Sequence, residues 1–189
     1  MSRGIIIFGA SGSGTTTLGR EVARRLYFPH FDLDDYHWCW DAEIPFTVLR
    51  SVDEKRDMLM KDISKYPRFV MSGSMESIRK TFDPMFDLAV FVSAPTEIRV
   101  ERVRAREFAW FGERILLGGD MYKNHQDFLA EVRGYDTGEP PIVCLKRHER
   151  WIAELPCPVL RVDGTREVSE NAELVAARYR KGDYYNGNH

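Results

Sequence analysis

Disulfide patterns, long hydrophobic runs and an excess of charge of one sign are all missing from this sequence. Its three cysteines, Cys39, Cys144 and Cys157, are far apart and match neither a disulfide framework nor a CxxC metal motif. We therefore expect a reducing, cytoplasmic setting. The apolar run near the N-terminus, residues 5–8, is too short for a signal peptide or a membrane span. We accordingly expect no membrane partner.

The charge balance also excludes a class of partners. The chain has 27 Lys and Arg against 29 Asp and Glu, a net charge of -2. Because proteins that bind nucleic acid backbones rely on positive charge, we do not expect a nucleic acid partner. A length of 189 residues with 43% hydrophobic residues fits one globular domain. We predict a single domain over residues 1–181, as a monomer or homodimer, and a disordered polar tail over residues 182–189.

Short apolar runs alternate with longer segments of helical periodicity along the chain. Strands are predicted at residues 4–8, 29–33, 69–72, 88–92 and 158–162. Such alternation indicates an α/β fold with a doubly wound parallel sheet. Right-handed crossovers place the carboxyl ends of the strands along one edge, where ligands bind in such folds.

A glycine-rich segment follows the first predicted strand and begins the first predicted helix. The phosphate-binding pattern is Gly, four residues, Gly, Lys, then Ser or Thr. Gly9, Gly14 and Thr16 satisfy this pattern, but Thr15 stands where the lysine belongs. A dinucleotide-binding pattern fails, because Thr17 stands where its third glycine should be. A glycine-rich turn without a ligand is the remaining alternative.

The phosphate-binding interpretation rests on the backbone. Glycines let the main-chain amides point inward at a polyphosphate, and the helix N-terminus adds partial positive charge. The Thr16 hydroxyl is placed to bind magnesium. The residues predicted to bind the phosphates are Gly9, Ser11, Gly12, Ser13, Gly14, Thr15, Thr16 and Thr17.

Four segments together resemble adenylate-kinase-like P-loop proteins: GASGSGTTTLG, HFDLDDYHW, the helix with Arg102 and Arg106, and FGERILLGGDMY. A bacterial subgroup of that family has the same threonine in its loop. The resemblance covers nearly the whole chain. It implies a three-layer P-loop NTPase fold with a five-stranded parallel sheet in the order 2-3-1-4-5, a helical lid at about residues 107–125, and ATP with Mg²⁺. It also implies an adenine site at the turn that contains Thr165.

Acidic residues follow the second predicted strand, in Asp32-Leu33-Asp34-Asp35. A resemblance to shikimate- and gluconate-type kinases implies that Asp32 helps to hold magnesium and that Asp34 meets the acceptor. The alternative is that these acids are helix caps or a solvated turn. Aromatic residues follow at once and either stack on an acceptor ring or wedge a loop: Tyr36, His37, Trp38 and Trp40.

Arginines precede the predicted lid. Arg99, Arg102 and Arg106 share one helix face at i, i+3 and i+7, and Arg114 lies in the next segment, a predicted loop over residues 110–120. We predict that lid closure brings Arg102, Arg106 and Arg114 to the phosphates, where they replace the missing lysine. A surface salt bridge is the alternative for any one of them. Arg20 is expected to point away from the site.

Three functions are compatible with these residues. The first is an ATP-binding phosphotransferase that transfers the γ-phosphate to a small acceptor. The second is a nucleotide-binding module with weak or no kinase activity, because the lysine is replaced by Thr15. The third is a nucleic-acid-end kinase, which the charge balance disfavours. The sequence does not identify the acceptor.

Overall fold

The computed structural model of this protein describes residues 2–182. Its centre is a sheet of five parallel strands: β1 (Arg3–Gly9), β2 (His30–Asp32), β3 (Arg68–Ser72), β4 (Phe86–Ser93) and β5 (Val159–Asp163). The strand order β2-β3-β1-β4-β5 confirms the predicted α/β fold and the order 2-3-1-4-5. Strand β2 is shorter than predicted, because Leu33 already begins a helix.

Within residues 2–182, eight α-helices connect or flank the strands. They are α1 (Thr15–Leu26), α2 (Leu33–His37), α3 (Val52–Ile63), α4 (Arg79–Phe82), α5 (Thr96–Phe111), α6 (Tyr122–Gly134), α7 (Leu145–Glu154) and α8 (Val168–Lys181). Short 3-10 turns occur at Asp83–Met85 and Gly112–Ile115.

Strand β1 occupies the middle of the sheet because both of its faces are apolar. Ile5, Ile6, Ile7 and Phe8 are completely buried. Successive side chains of a strand point to opposite faces. Ile5 and Ile7 therefore join a core cluster with residues of α1 and α8, whereas Ile6 and Phe8 join a second cluster with residues of α3 and α7. The result is the predicted three-layer arrangement.

Helices α5 and α6 form an arm with its own apolar cluster, and we call residues 96–134 the lid arm. The segment between the two helices is more regular than predicted. Instead of a loop over residues 110–120, α5 continues through Phe111 and a 3-10 turn follows. The helix extends because Trp110 and Phe111, in its last turn, pack on Phe46 from another part of the chain.

A second arm, residues 33–63, follows β2, and we call it the α2–α3 arm. It consists of α2, a hairpin and α3. In the hairpin Trp38 pairs with Leu49 in antiparallel fashion, and the Arg50 amide donates to the His37 carbonyl at 2.9 Å. Ser51 then caps α3 by accepting the Glu54 amide at 3.2 Å. The hairpin thus joins the end of α2 to the start of α3.

The remaining expectations on organisation concern the membrane and the tail. No helix in the described part of the chain is long and apolar enough to cross a membrane. Of the predicted disordered tail, residues 182–189, only Gly182 is described, directly after α8. Residues 183–189 lie outside the described residues.

Candidate functional site

The connection from β1 to α1 has the backbone that a phosphate-binding loop needs. Gly12 and Gly14 have φ angles of 82° and 103°, a region that residues with a side chain rarely adopt. A Cβ atom at Gly12 would also lie 2.5 Å from the Arg99 carbonyl oxygen. No side chain caps the N-terminus of α1. Its first amides and its dipole are therefore available to a phosphate.

The hydroxyl residues of this loop differ in what they can offer to a ligand. Ser13 is completely buried, and its amide donates to the Ala10 carbonyl at 3.0 Å, so that amide is used inside the loop. Ser11 and Thr17 are exposed, while Thr15 and Thr16 are half-buried in the first turn of α1. Gly9 ends β1. The predicted contacts of residues 9–17 with phosphate thus rest mainly on main-chain amides and on Thr16.

Asp32 joins the end of β2 to helix α1. One of its carboxylate oxygens caps α2 by accepting the Asp34 amide at 3.3 Å. The other lies 4.0 Å from Nη2 of Arg20, one helical turn after Thr16. Asp32 therefore does cap a helix, while its predicted magnesium role stays a prediction. The expectation that Arg20 points away from the site is wrong, because Asp32 attracts its guanidinium.

Magnesium fits the oxygen donors of this region. Across residues 2–182 no three His, Cys, Asp or Glu side chains form a group that could hold a metal ion. Magnesium bound to a nucleotide needs fewer protein ligands, because it keeps several waters and binds phosphate oxygens. Thr16 and Asp32 supply one hydroxyl and one carboxylate on adjacent elements. This donor set suits magnesium that arrives with a nucleotide.

Asp34 has the most perturbed carboxyl group of the predicted site. Its side chain remains accessible to solvent, yet the surrounding protein desolvates it. This desolvation, followed by the negative charge of Asp32, raises the pKa of Asp34 to about 6, and the positive charge of Arg106 opposes the rise. A carboxyl group with a pKa close to neutral suits proton transfer with a hydroxyl.

Arg102 lies against the phosphate loop. Its Nη1 donates to the Gly164 carbonyl at 2.9 Å and lies 3.5 Å from the carbonyl oxygens of Gly12 and Ser13. The predicted adenine site at the turn after β5 is therefore adjacent to the loop. In that turn the Thr165 amide and hydroxyl both bond Asp163 Oδ1, at 2.8 and 2.7 Å. The Thr165 hydroxyl and the amides of Gly164, Thr165 and Arg166 are thus already engaged inside the protein.

Arg106 has a cationic group without an ion pair inside the described chain. Its Nε is buried and has no hydrogen-bond partner. Its guanidinium lies 5.0 Å from the centre of the Trp110 ring, a cation–π contact. It is also close enough to Asp34 for its charge to act on the pKa of that carboxyl. Arg106 is therefore the arginine of the lid arm that is best placed to meet an anionic ligand near Asp34.

The other arginines of the predicted row do not reach the site. Arg114 forms a bidentate pair with Asp120, with Nη2 2.7 Å from Oδ2, and both side chains are exposed. The surface salt bridge is therefore right for Arg114 in this structure, because Asp120 lies within reach across the turn. Arg99 is completely buried and pairs with Asp136 and Thr96. Arg99 thus fixes the lid arm rather than a ligand.

An aromatic cluster connects the two arms and was not predicted. Phe46 stands at its centre, with Trp38 and Trp40 edge-on and Trp110 stacked at 5.9 Å between ring centres. Phe46 has a φ of 60°, a strained backbone for a residue with a side chain. Wedging a loop, one of the two predicted alternatives, therefore describes Trp38 and Trp40. Pro45 marks a turn, but no pattern in a single sequence indicates what Phe46 contacts.

The comparisons with known proteins agree with this geometry. The family model described as "AAA domain" matches residues 5–108. The chain is also 37% identical over 175 residues to "Uncharacterized protein YqaC" of Bacillus subtilis (strain 168), covering 93% of this chain and 96% of that protein. The chain therefore belongs to this AAA-domain family of P-loop proteins, with the fold of adenylate-kinase-like P-loop kinases.

Solved structures show which kinases share the fold. A shikimate kinase from Acinetobacter baumannii, in complex with shikimate, has a TM-score of 0.55 at 15% identity and covers 95% of this chain and 94% of that one. A deoxyadenosine kinase from M. mycoides with bound dATP also has a TM-score of 0.55, at 13% identity, over 94% and 100% of the two chains. These identities are low, so the likeness concerns the fold alone.

Proposed function

We propose that this protein binds Mg-ATP at residues 9–17 and transfers the γ-phosphate to a small acceptor beside Asp34. The observation that carries the proposal is the pair formed by Asp34 and Arg106. The pKa of the carboxyl is about 6, and a cation without an ion pair acts on it from the lid arm. Perturbed carboxyl pKa values beside a charge partner cluster at functional sites, which supports the proposal.

The nucleotide is held mainly by the main chain in this proposal. The uncapped amides at the start of α1 bind the phosphates, and Thr16 with Asp32 holds magnesium. The base lies against the turn at Thr165, next to Arg102. These contacts leave the outer phosphates short of positive charge, since Thr15 cannot supply it. Arg106 provides the missing cation from the opposite wall.

Asp34 would act as the general base. At neutral pH a carboxyl with a pKa of about 6 is mostly ionised and can accept the proton of an acceptor hydroxyl. The acceptor oxygen then bonds to the γ-phosphorus, the bond from that phosphorus to the β–γ bridging oxygen breaks, and ADP leaves. In phosphoryl transfer the protein mainly positions the groups and neutralises their charge.

The test is ADP release from ATP by the purified chain, with and without a library of small hydroxyl compounds. We expect slow release alone and faster release with at least one compound, in the presence of magnesium. If millimolar Mg-ATP left the melting curve of the protein unchanged, this result would contradict the first step of the proposal, which is nucleotide binding.

A nucleotide-binding module with little kinase activity is the second candidate, and Thr15 favours it. A charge-assisted hydrogen bond contributes about 1.5–3 kcal/mol, and the loop lacks the one that lysine normally makes. This candidate predicts Mg-ATP binding without ADP release for any acceptor. It also predicts that Thr15→Lys tightens ATP binding whether or not Arg106 is present.

A further inference from the structure

The α2–α3 arm contains a buried lysine whose charge is not balanced by a carboxylate. Lys55 lies on the same face of α3 as Leu59 and Ile63 and is only 6% exposed. Its ammonium nitrogen lies 3.3 Å from Nδ1 of His37, at the end of α2. Burial lowers the pKa of Lys55, with no opposing contribution from a carboxylate. The fold therefore maintains a cation where an aliphatic side chain would pack at less cost.

The hydrogen-bonding capacity of Lys55 is only partly used. An ammonium group has three donors, and His37 accepts one of them. Burial, followed by the charge of Lys55, lowers the pKa of His37, so the imidazole stays neutral and does not repel a bound anion. Two donors remain for a group from outside the chain.

Arg50 provides a second cation on the same arm. Its amide donates to the His37 carbonyl at 2.9 Å, so its main chain contacts the same residue as Lys55. Its Nε is buried without a hydrogen-bond partner, while its Nη1 lies 3.4 Å from the exposed Glu54. The Arg50 guanidinium lies toward Glu54 and Met58 of α3, so Arg50 is a second incompletely paired cation on the arm that holds Lys55.

The end of α2 is directly connected to the proposed reaction site. His37 follows Asp34 by three residues, so the two side chains share a face of α2. We propose that the acceptor carries an anionic group, a carboxylate or a phosphate, that binds Lys55 and Arg50 while its hydroxyl faces Asp34. This inference rests on the proposed function, which by itself would equally admit a neutral sugar or polyol.

The test titrates inorganic phosphate and acetate into the full chain at constant ionic strength, with NaCl as the reference salt. A saturating non-hydrolysable ATP analogue with magnesium keeps the phosphate loop occupied. We expect a saturable rise in melting temperature with at least one anion. Phosphate alone indicates a phosphorylated acceptor, and acetate alone a carboxylate. In Lys55→Met the apparent affinity falls about tenfold or more. Lys61→Met, an exposed lysine on the same helix, stays like the wild type.

Two results would overturn the anion site: no saturable rise with either anion in the wild type, or the same rise in Lys55→Met. If Lys55→Met does not fold, Arg50→Met makes the same comparison, and an unchanged anion response there also overturns it. The melting shift from the ATP analogue alone is recorded first. Its absence contradicts the proposed function, whereas its presence without an anion response contradicts only the anion site.

Discussion

One wall of the proposed site consists mainly of main-chain groups, whereas the other consists of side chains. The donor wall, residues 9–17, presents main-chain amides, and its neighbour Arg102 is already bonded to the Gly164 carbonyl beside it. The opposite wall, formed by the two arms, presents side chains, among them Asp34, Arg106 and Lys55. A wall of main-chain groups can lack one side chain, here the lysine of the phosphate-binding pattern, and keep its shape. A wall made of side chains changes its chemistry with each residue.

The variant Asp34→Asn should have the largest effect, because it changes the side-chain wall and leaves the donor wall intact. If Asp34 is the general base, this change should lower acceptor-dependent turnover by about 10²–10⁴-fold and leave ATP affinity nearly unchanged. The measurement is ADP release with the best acceptor, together with calorimetric ATP affinity. Asp35→Asn, at the exposed neighbouring residue, is the matched control. Unchanged turnover in Asp34→Asn would show that the acids after β2 serve only as a helix cap and a solvated turn.

Arg106→Met should weaken the binding of a non-hydrolysable ATP analogue by about 10–100-fold, and that of ADP less, because the outer phosphates need the cation. Thr15→Lys in the same chain should recover part of the loss, since it restores charge at the same phosphates. Calorimetry of the single and double variants measures both effects. Arg104→Met, exposed on the same helix, serves as control. Additive effects without recovery would show that Arg106 does not replace the lysine.

Thr16→Ala tests the donor wall itself. With Mg-ATP a hundredfold above its dissociation constant, the free energy of unfolding of the wild type should rise by about 2.7 kcal/mol. Thr16→Ala should lose most of the part of this gain that depends on magnesium, whereas Thr17→Ala, at an exposed position, should keep it. Melting curves with magnesium and with EDTA distinguish the two variants. An equal magnesium effect in both would leave Thr16 without a metal role.

Stability against pH tests the environment of Asp34 without any ligand. The pKa of Asp34 is raised from 3.8 to about 6 in the folded state, so the folded protein binds the proton more tightly than the unfolded chain. Asp34 therefore lowers stability above pH 6, and the penalty fades as the pH falls toward 4. Asp34→Asn should melt higher than the wild type at pH 7.5, with the difference shrinking toward pH 4. A lower melting temperature at pH 7.5 would contradict this environment.

Arg114→Met should have the smallest effect. Arg114 pairs with Asp120 on the exposed surface of the lid arm. We expect no measurable change in ATP affinity or in melting temperature. A loss of ATP affinity similar to that of Arg106→Met would show that the lid arm moves further on nucleotide binding than this structure indicates, and would restore the original prediction for Arg114.

The difference between a wall of main-chain groups and a wall of side chains also explains which features the sequence could predict. The alternation of strands and helices, the glycine loop and the acids after β2 follow from local patterns, because each depends on neighbouring residues, whereas the strand order came from the resemblance to adenylate-kinase-like P-loop proteins. Arg114 was predicted to reach the phosphates on lid closure, but in this structure it pairs with Asp120, and a spacing rule does not weigh such competition. Phe46 and Lys55 were missed for a related reason. Their contacts with Trp110 and His37 come from distant segments, and no local period reports them.

The aromatic cluster at Phe46 also gives the protein an intrinsic tryptophan fluorescence signal for movement of the two arms. Three of the four tryptophans, Trp38, Trp40 and Trp110, surround Phe46. The fourth, Trp151, is buried under the sheet and donates its indole N–H to Asp83 at 2.9 Å. Separation of the arms would break the contacts of these three indoles with Phe46, and Trp38, the half-buried one, would become more exposed to water and shift its emission to the red. Trp151 would remain as an internal reference, so no added dye is needed to follow each opening and closing.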